Sequence, residues 1–183
     1  PVFEIPTLPP SVPGVRLYKA FRGHLQSLGV RLTAGLEVIS TQTTAPNGVP
    51  GAVQWVESAT SARPLKLRAD KYLLATGGIL GGGFNSDVNG RVWETIFNLP
   101  LTIPQERADW FNPGFLNPQG HPVFKGGVKV NASFQPIGAN DQPLYANLWA
   151  AGNLLAHSDG IQERSVEGTA VATGVAAAQA LSG

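Results

Sequence analysis

Two short segments combine an apolar run with small residues at its end. Tyr72-Leu73-Leu74-Ala75 leads into Thr76-Gly77-Gly78, and Leu148-Trp149-Ala150-Ala151 leads into Gly152-Asn153. In an open α/β sheet, ligands bind beyond the carboxyl ends of the strands. Small residues there let a flat ring or a pyrophosphate approach the backbone. Either segment alone reads equally well as a tight turn. Two in one chain, the second leading through a loop into a helix, point to a planar cofactor. The helix start near Glu167-Gly168-Thr169-Ala170 would add unpaired backbone N–H groups and the positive end of a helix dipole, which stabilise negative charge. An ordinary helix start is the alternative.

Other groups capable of chemistry are scattered. Of the three histidines, His24 falls on a helix surface, while His121 and His157 fall in loops where proton transfer is conceivable. Asp159, Glu163 and Arg164 form a polar cluster next to the proposed cofactor edge. Arg164 there is suited to a phosphate or carboxylate, with a solvated loop as the alternative. His121 and Arg164 are the candidates for a catalytic part, though neither sits in a recognised motif. No His/Asp/Glu spacing suggests a metal site. A GxSxG nucleophile elbow is absent, and so is a GxGxxG fingerprint opening a helix after a strand; Gly81-Gly82-Gly83 does not match it.

Composition narrows the class. The 183 residues are 43% hydrophobic and 14% charged, enough to build a core and too apolar for disorder. The 22 glycines and 15 prolines are about a fifth of the chain, below the roughly 25–30% of low-complexity sequence. The net charge of +1 comes without any block of like charge, so no nucleic-acid footprint is visible. The absence of cysteine excludes a disulfide scaffold and a cysteine-held iron–sulfur cluster within this chain. The longest apolar run, residues 148–156, falls far short of the ~18 needed to span a bilayer. The chain begins at Pro1 and has no methionine, which reads as a piece of a longer protein.

The elements that must position these residues follow from periodicity. Residues 1–13 carry five prolines and read as an extended segment. Residues 15–28 repeat apolar side chains at three- and four-residue steps and stop at Gly29, a helix whose apolar face would cover a sheet. Residues 36–68 alternate and contain the turn 46–51, giving an antiparallel meander. Residues 71–75 suit a strand buried on both faces. Residues 84–120, with Trp93, Phe97, Trp110, Phe111 and Phe115 among four prolines, read as an irregular cap or insert with a helix around 91–98. Residues 126–137 read as a strand and hairpin, 144–152 as a buried strand, and 165–181 as a closely packed helix of small residues.

At these motifs the chain resembles known flavoproteins. ATGG after an apolar strand, then GGVKVN, LYANLWAAGN and a Gly-containing helix, are similar to the second half of the flavin domain in the fumarate reductase and succinate dehydrogenase superfamily. The opening EIPTLPPSVPGVRL, with ATGGILGGG and GIQERSVEGTAVATGVAAAQAL, resembles more specifically the B-subunit family of anaerobic glycerol-3-phosphate dehydrogenases. That resemblance covers nearly the whole chain. It implies a flavin, FMN rather than FAD, and partner subunits A and C. It implies electrons passing from glycerol 3-phosphate oxidation towards quinone, and a cytoplasmic place at the inner face of the membrane held through partners. By motif, Thr76, Gly77, Gly78, Gly152, Asn153, Gly168, Thr169 and Ala170 would border the flavin, with the helix start facing the ring's N1 edge. The tail departs from the commoner flavoprotein pattern: Ala156-His157 and Ser165-Val166 stand where a Gly-Gly and a Cys-Gly pair are usual.

The expected fold is therefore α/β: residues 1–183 as the C-terminal part of a flavin-binding domain of the Rossmann-like FAD/NAD(P) type, with a β-meander and a cap at 84–120. The competing readings are a flavin dehydrogenase acting on its own substrate through His121, Tyr145 or Arg164, and a non-catalytic assembly module.

Overall fold

A computed structural model describes residues 11–44 and 49–183. It divides into two units, Pro1–Glu37 and Val38–Gly183.

The first unit contains α1, Val12–Ser27. The helix starts three residues earlier than periodicity predicts. Proline is tolerated in a first turn, where its missing N–H has no partner to lose, so Pro13 sits inside the helix. Ser11 caps it, its hydroxyl accepting from the Gly14 N–H at 3.2 Å. The far end closes on Gly29, at φ 77°, with Gly29 N–H donating to the Gln26 carbonyl and Val30 N–H to that of Leu25, both at 3.0 Å. This paired closure needs a left-handed residue, and glycine takes it without strain. The sequence reading puts the apolar face of α1 against a sheet; in the structure none of its residues is buried. The proline-rich stretch before Ser11 lies outside the described residues.

The second unit opens with the predicted meander: β1 (Val38–Thr43), β2 (Val53–Ser58) and β3 (Leu65–Leu67), antiparallel and in that order. Residues 46–48 of the predicted turn lie outside the described residues. Around them Thr44 and Ala52 close the hairpin through Thr44 N–H to the Ala52 carbonyl, 2.9 Å, and Ala52 N–H to the Thr44 hydroxyl, 2.7 Å. Next comes β4, Tyr72–Leu74. Only Leu74 in it is buried, and Leu73 is 42% exposed, so the expectation of burial on both faces is not met.

Residues 84–98 form a hairpin, β5 (Phe84–Ser86) against β6 (Val92–Glu94), where a helix around 91–98 is expected from sequence. The turn chemistry decides this. The Asp87 carboxylate accepts from the Asn89 and Arg91 N–H groups at 2.9 and 3.0 Å, and Gly90 takes φ 88°. A carboxylate satisfying backbone donors two and four residues on stabilises a turn over a helix. Glu94 is 1% exposed; its carboxylate accepts from Ile96 at 2.9 Å, Phe97 at 2.7 Å and Leu99 at 3.4 Å.

A four-residue helix, α2 (Pro122–Lys125), then leads to an irregular stretch held by single bridges, Val128 to both Leu101 and Leu155 among them. The predicted strand at 126–137 is thus a set of bridges with a turn. β7 (Leu148–Ala150) is fully buried and runs parallel to β4, pairing Tyr72 with Leu148 and Leu74 with Ala150. The outer edge of β7 is covered where Ala150 N–H donates to the Phe134 carbonyl at 2.9 Å. The chain ends in α3, Val166–Ser182. Of α3 only Ala177 is buried, and Val171 and Val175 face outward, so it packs along one narrow stripe.

The core gathers Val53, Leu74, Phe84, Val128, Leu148 and Leu154 among others, joining meander, hairpin and parallel pair. The result is mixed α/β with three small sheets among the described residues, where the sequence suggests one sheet crossed by a meander.

Candidate functional site

β4 and β7 lie side by side and parallel, so both apolar strands end on the same edge. Ala151 N–H, just past β7, donates to the Leu74 carbonyl at 3.0 Å. The two glycine-bearing exits are therefore neighbours. Gly77 turns the chain at φ 78°, and Gly78 is pressed against the Asn153 backbone. The loop beyond Gly78 folds back on its own carbonyl, which accepts from the N–H groups of Gly81 and Gly83, each at 3.1 Å. A side chain on Gly83 would overlap the Gly77 carbonyl. This compaction is open only to glycine.

α3 is fixed to the same edge. Thr173 accepts the Gly152 N–H at 2.8 Å and donates to the Thr169 carbonyl at 2.6 Å. At the opposite end, the Lys71 ammonium, just before β4, donates to the Leu181 carbonyl. A cation at a helix C-terminus is favoured by the dipole, and the contact fixes direction: α3 runs antiparallel to the strand pair, and its N-terminus sits at the strands' carboxyl ends. Thr169 N–H bonds to the Ser165 carbonyl at 2.8 Å. The donors left without a helical carbonyl are those of Val166, Glu167 and Gly168. Of the three residues expected from sequence, only Gly168 supplies one; the N–H of Thr169 is spent inside the helix, and Ala170 lies a further position along.

Between these parts lies a cavity of about 100 Å³, walled by Gly77, Gly78, Phe124, Asn153, Asp159 and Val166 among others. Complete small-ligand pockets span roughly 300–1,000 Å³, so this is one side of a cradle. Its floor is glycine, with the space a side chain would take at Gly77 and Gly78 filled by Gly81 and Asn153. One buried polar atom of the wall lacks a partner, Asp159 Oδ2. Asp159 is only 3% exposed, and its Oδ1 accepts from the Gln162 N–H at 3.0 Å. An unpaired buried carboxylate oxygen is costly; this one lies beside Gly120, closed off from the cavity itself. The apolar lining and the start of α3 fit the edge of a flavin-like ligand on this side.

The predicted site residues divide. Gly77, Gly78 and Asn153 line the cavity. Thr76 lies against a separate apolar hollow with Tyr72 and Phe97, and Gly152 acts through its bond to Thr173. His121 uses both ring nitrogens on its own loop: Nδ1 accepts from Asn112 N–H and Nε2 pairs with the Phe115 carbonyl, each at 3.1 Å. Neither nitrogen is left for proton transfer. Arg164 is exposed, at φ 53° in the turn before α3. Tyr145 packs on Phe97 with ring centroids 6.2 Å apart. Asp159, read as part of a polar cluster, is buried, which removes the solvated-loop alternative for it. Sequence reasoning misses Phe124, Gly126 and Val166 as wall residues. The paired Gly126-Gly127 carries a signal, since two adjacent glycines mark close backbone approach; a side chain on Gly126 would press into Ile103. Among the described residues, no group of three or more His, Asp or Glu could hold a metal, and no helix is long and apolar enough to cross a membrane.

A parallel pair with glycine exits and a helix start at one edge is a cofactor-binding arrangement, and the family comparison agrees. Residues 1–168 match the family described as FAD binding domain, and the chain belongs to that family. Its relatives are more particular. It is 35% identical over 179 residues to the probable B subunit of the anaerobic glycerol-3-phosphate dehydrogenase of Halobacterium salinarum, covering 98% of this chain and 40% of the relative. It is 31% identical over 176 residues to the B subunit of the anaerobic glycerol-3-phosphate dehydrogenase of Vibrio vulnificus, covering 96% and 38%. The same-named protein of Actinobacillus pleuropneumoniae is 29% identical over 187 residues, covering 100% and 41%. The chain therefore spans about two fifths of the length of these relatives. No solved structure matches it.

Proposed function

We propose that the chain supplies one wall of the flavin site in a component of an anaerobic glycerol-3-phosphate dehydrogenase, and that its parallel pair is part of a Rossmann-like domain. The observation that carries the reading is the meeting of Gly78, Asn153 and the α3 N-terminus at one strand edge. The flavin would supply two-electron acceptance and onward electron transfer. The chain's own residues would do the rest. Gly77 and Gly78, closed on Gly81 and Asn153, would form the floor under the ring, and Asp159 would set the charge beside it. The open N–H groups of Val166 to Gly168 would favour negative charge on the reduced ring.

The names of the relatives support an assembly with other subunits. On the family resemblance these are subunits A and C, which would hold the protein at the cytoplasmic face of the membrane and pass electrons towards quinone. Exposed apolar side chains on the second unit, Phe115 at 89% and Leu116 at 87%, support burial against other protein. The flavin is taken as FMN from the same resemblance, whereas the matched family's description names FAD.

The test uses the complete native protein, purified anaerobically with its partners. Acid extraction and chromatography identify the flavin. Glycerol 3-phosphate is then expected to bleach its visible absorption, and a quinone analogue to restore it. A protein that purifies without flavin, or a flavin that glycerol 3-phosphate leaves oxidised, overturns the reading.

A further inference from the structure

A second cavity opens beside the first. It holds about 340 Å³, a full small-ligand volume against the roughly 300–1,000 Å³ usual for such pockets. Gly126 lines both cavities, so they share a wall there. The charged or titratable side chains on the second cavity are Lys125 and His157, with the Asn112 and Gln119 amides beside them and no carboxylate among its lining residues.

The two basic groups come from separate segments that the backbone ties together: His157 N–H donates to the Lys125 carbonyl at 2.8 Å. The Lys125 ammonium donates to the Gln119 carbonyl at 2.7 Å, which steadies it at the cleft and leaves two of its three N–H groups to give. His157 is held at φ 69°. Such a conformation costs free energy for any residue with a Cβ, and strain of this kind collects where a ligand is gripped. An ammonium, an imidazole, the Gln119 amide and the Asn112 N–H not given to the Gly120 carbonyl make a donor set for an anion with several acceptor oxygens.

We propose that this cleft binds the phosphate group of a small phosphorylated substrate, with the carbon skeleton running past Gly126 towards the first cavity. The assignment rests on the flavin reading for what occupies that first cavity. The cleft's preference for a phosphate follows from its own lining.

The test is calorimetric titration of the complete native protein with inorganic phosphate, glycerol 3-phosphate and glycerol at constant ionic strength. Both phosphates are expected to bind and to compete, and glycerol to bind far more weakly. Lys125→Gln is expected to weaken both phosphates by about tenfold or more, the usual loss when a charged donor is removed, with flavin content unchanged. His157→Gly serves as the second variant. It relieves the backbone strain, so its melting temperature should hold or rise while phosphate affinity falls. Phosphate binding that survives both substitutions at full strength, or a wild-type protein that binds no phosphate, overturns the proposal. A protein without flavin would instead sink the cofactor reading, and the inorganic phosphate titration would still decide the cleft.

Discussion

The carbonyl oxygen of Asn153 lies where a side chain on Gly78 would begin: a Cβ built there stands 2.5 Å away from it. Residues 75 apart in sequence thereby touch backbone to backbone, and the floor of the first cavity is the result.

Gly78→Ala should therefore push the two strand exits apart. Overpacking of this kind costs about 1–3 kcal/mol. The flavin content of the purified protein should fall sharply, and a variant that keeps full flavin occupancy would show that the contact does not shape the site. Absorbance of the purified protein reads this directly, with urea unfolding for the stability term.

Thr173 joins α3 to the end of β7 through the Gly152 N–H. Thr173→Val keeps the shape and removes the acceptor, leaving a backbone donor unpaired at a cost of about 1–3 kcal/mol. Thr173→Ser should retain most of the stability. Equal denaturation midpoints for the valine and serine variants would mean that the bond contributes nothing.

Asp159 brings a buried carboxylate to the cavity wall, with Oδ2 unpaired. In the flavin reading its charge opposes reduction of the ring. Asp159→Asn keeps an oxygen for the Gln162 N–H and removes the charge. The midpoint potential of the bound flavin should rise, by about 30 mV for each 1.4 kcal/mol of relief in a two-electron couple. Spectroelectrochemical titration giving an unchanged or lower potential would place Asp159 outside the ring's field.

Glu94 serves the fold rather than a cofactor. Its carboxylate closes the turn after β6 by accepting three backbone N–H groups. Glu94→Ala strands those donors and should destabilise the protein by about 3 kcal/mol or more, since each buried unpaired group costs about 1–3 kcal/mol. Glu94→Gln, which keeps one acceptor oxygen, should lose less. A melting curve for the alanine variant matching wild type would contradict the burial.

The reach of sequence reasoning follows the range of the forces involved. Helix stops, the meander and both glycine-ended strands are legible because glycine, proline and apolar period act within a few residues. The 84–98 hairpin reads as partly helical in sequence because one side chain, Asp87, outweighs a weak periodic signal. His121 looks free because nothing in its neighbourhood of sequence reveals that Asn112 and Phe115 occupy both nitrogens.

The sequence by itself determined the local vocabulary: two apolar strands ending in small residues, a small-residue helix to follow them, and the family these belong to. Only the tertiary structure decided that β4 and β7 are parallel neighbours, that α3 begins at their shared edge, and that Lys125 and His157 face one hollow. Such pairings depend on contacts between distant segments, whose geometry no local pattern of residues encodes.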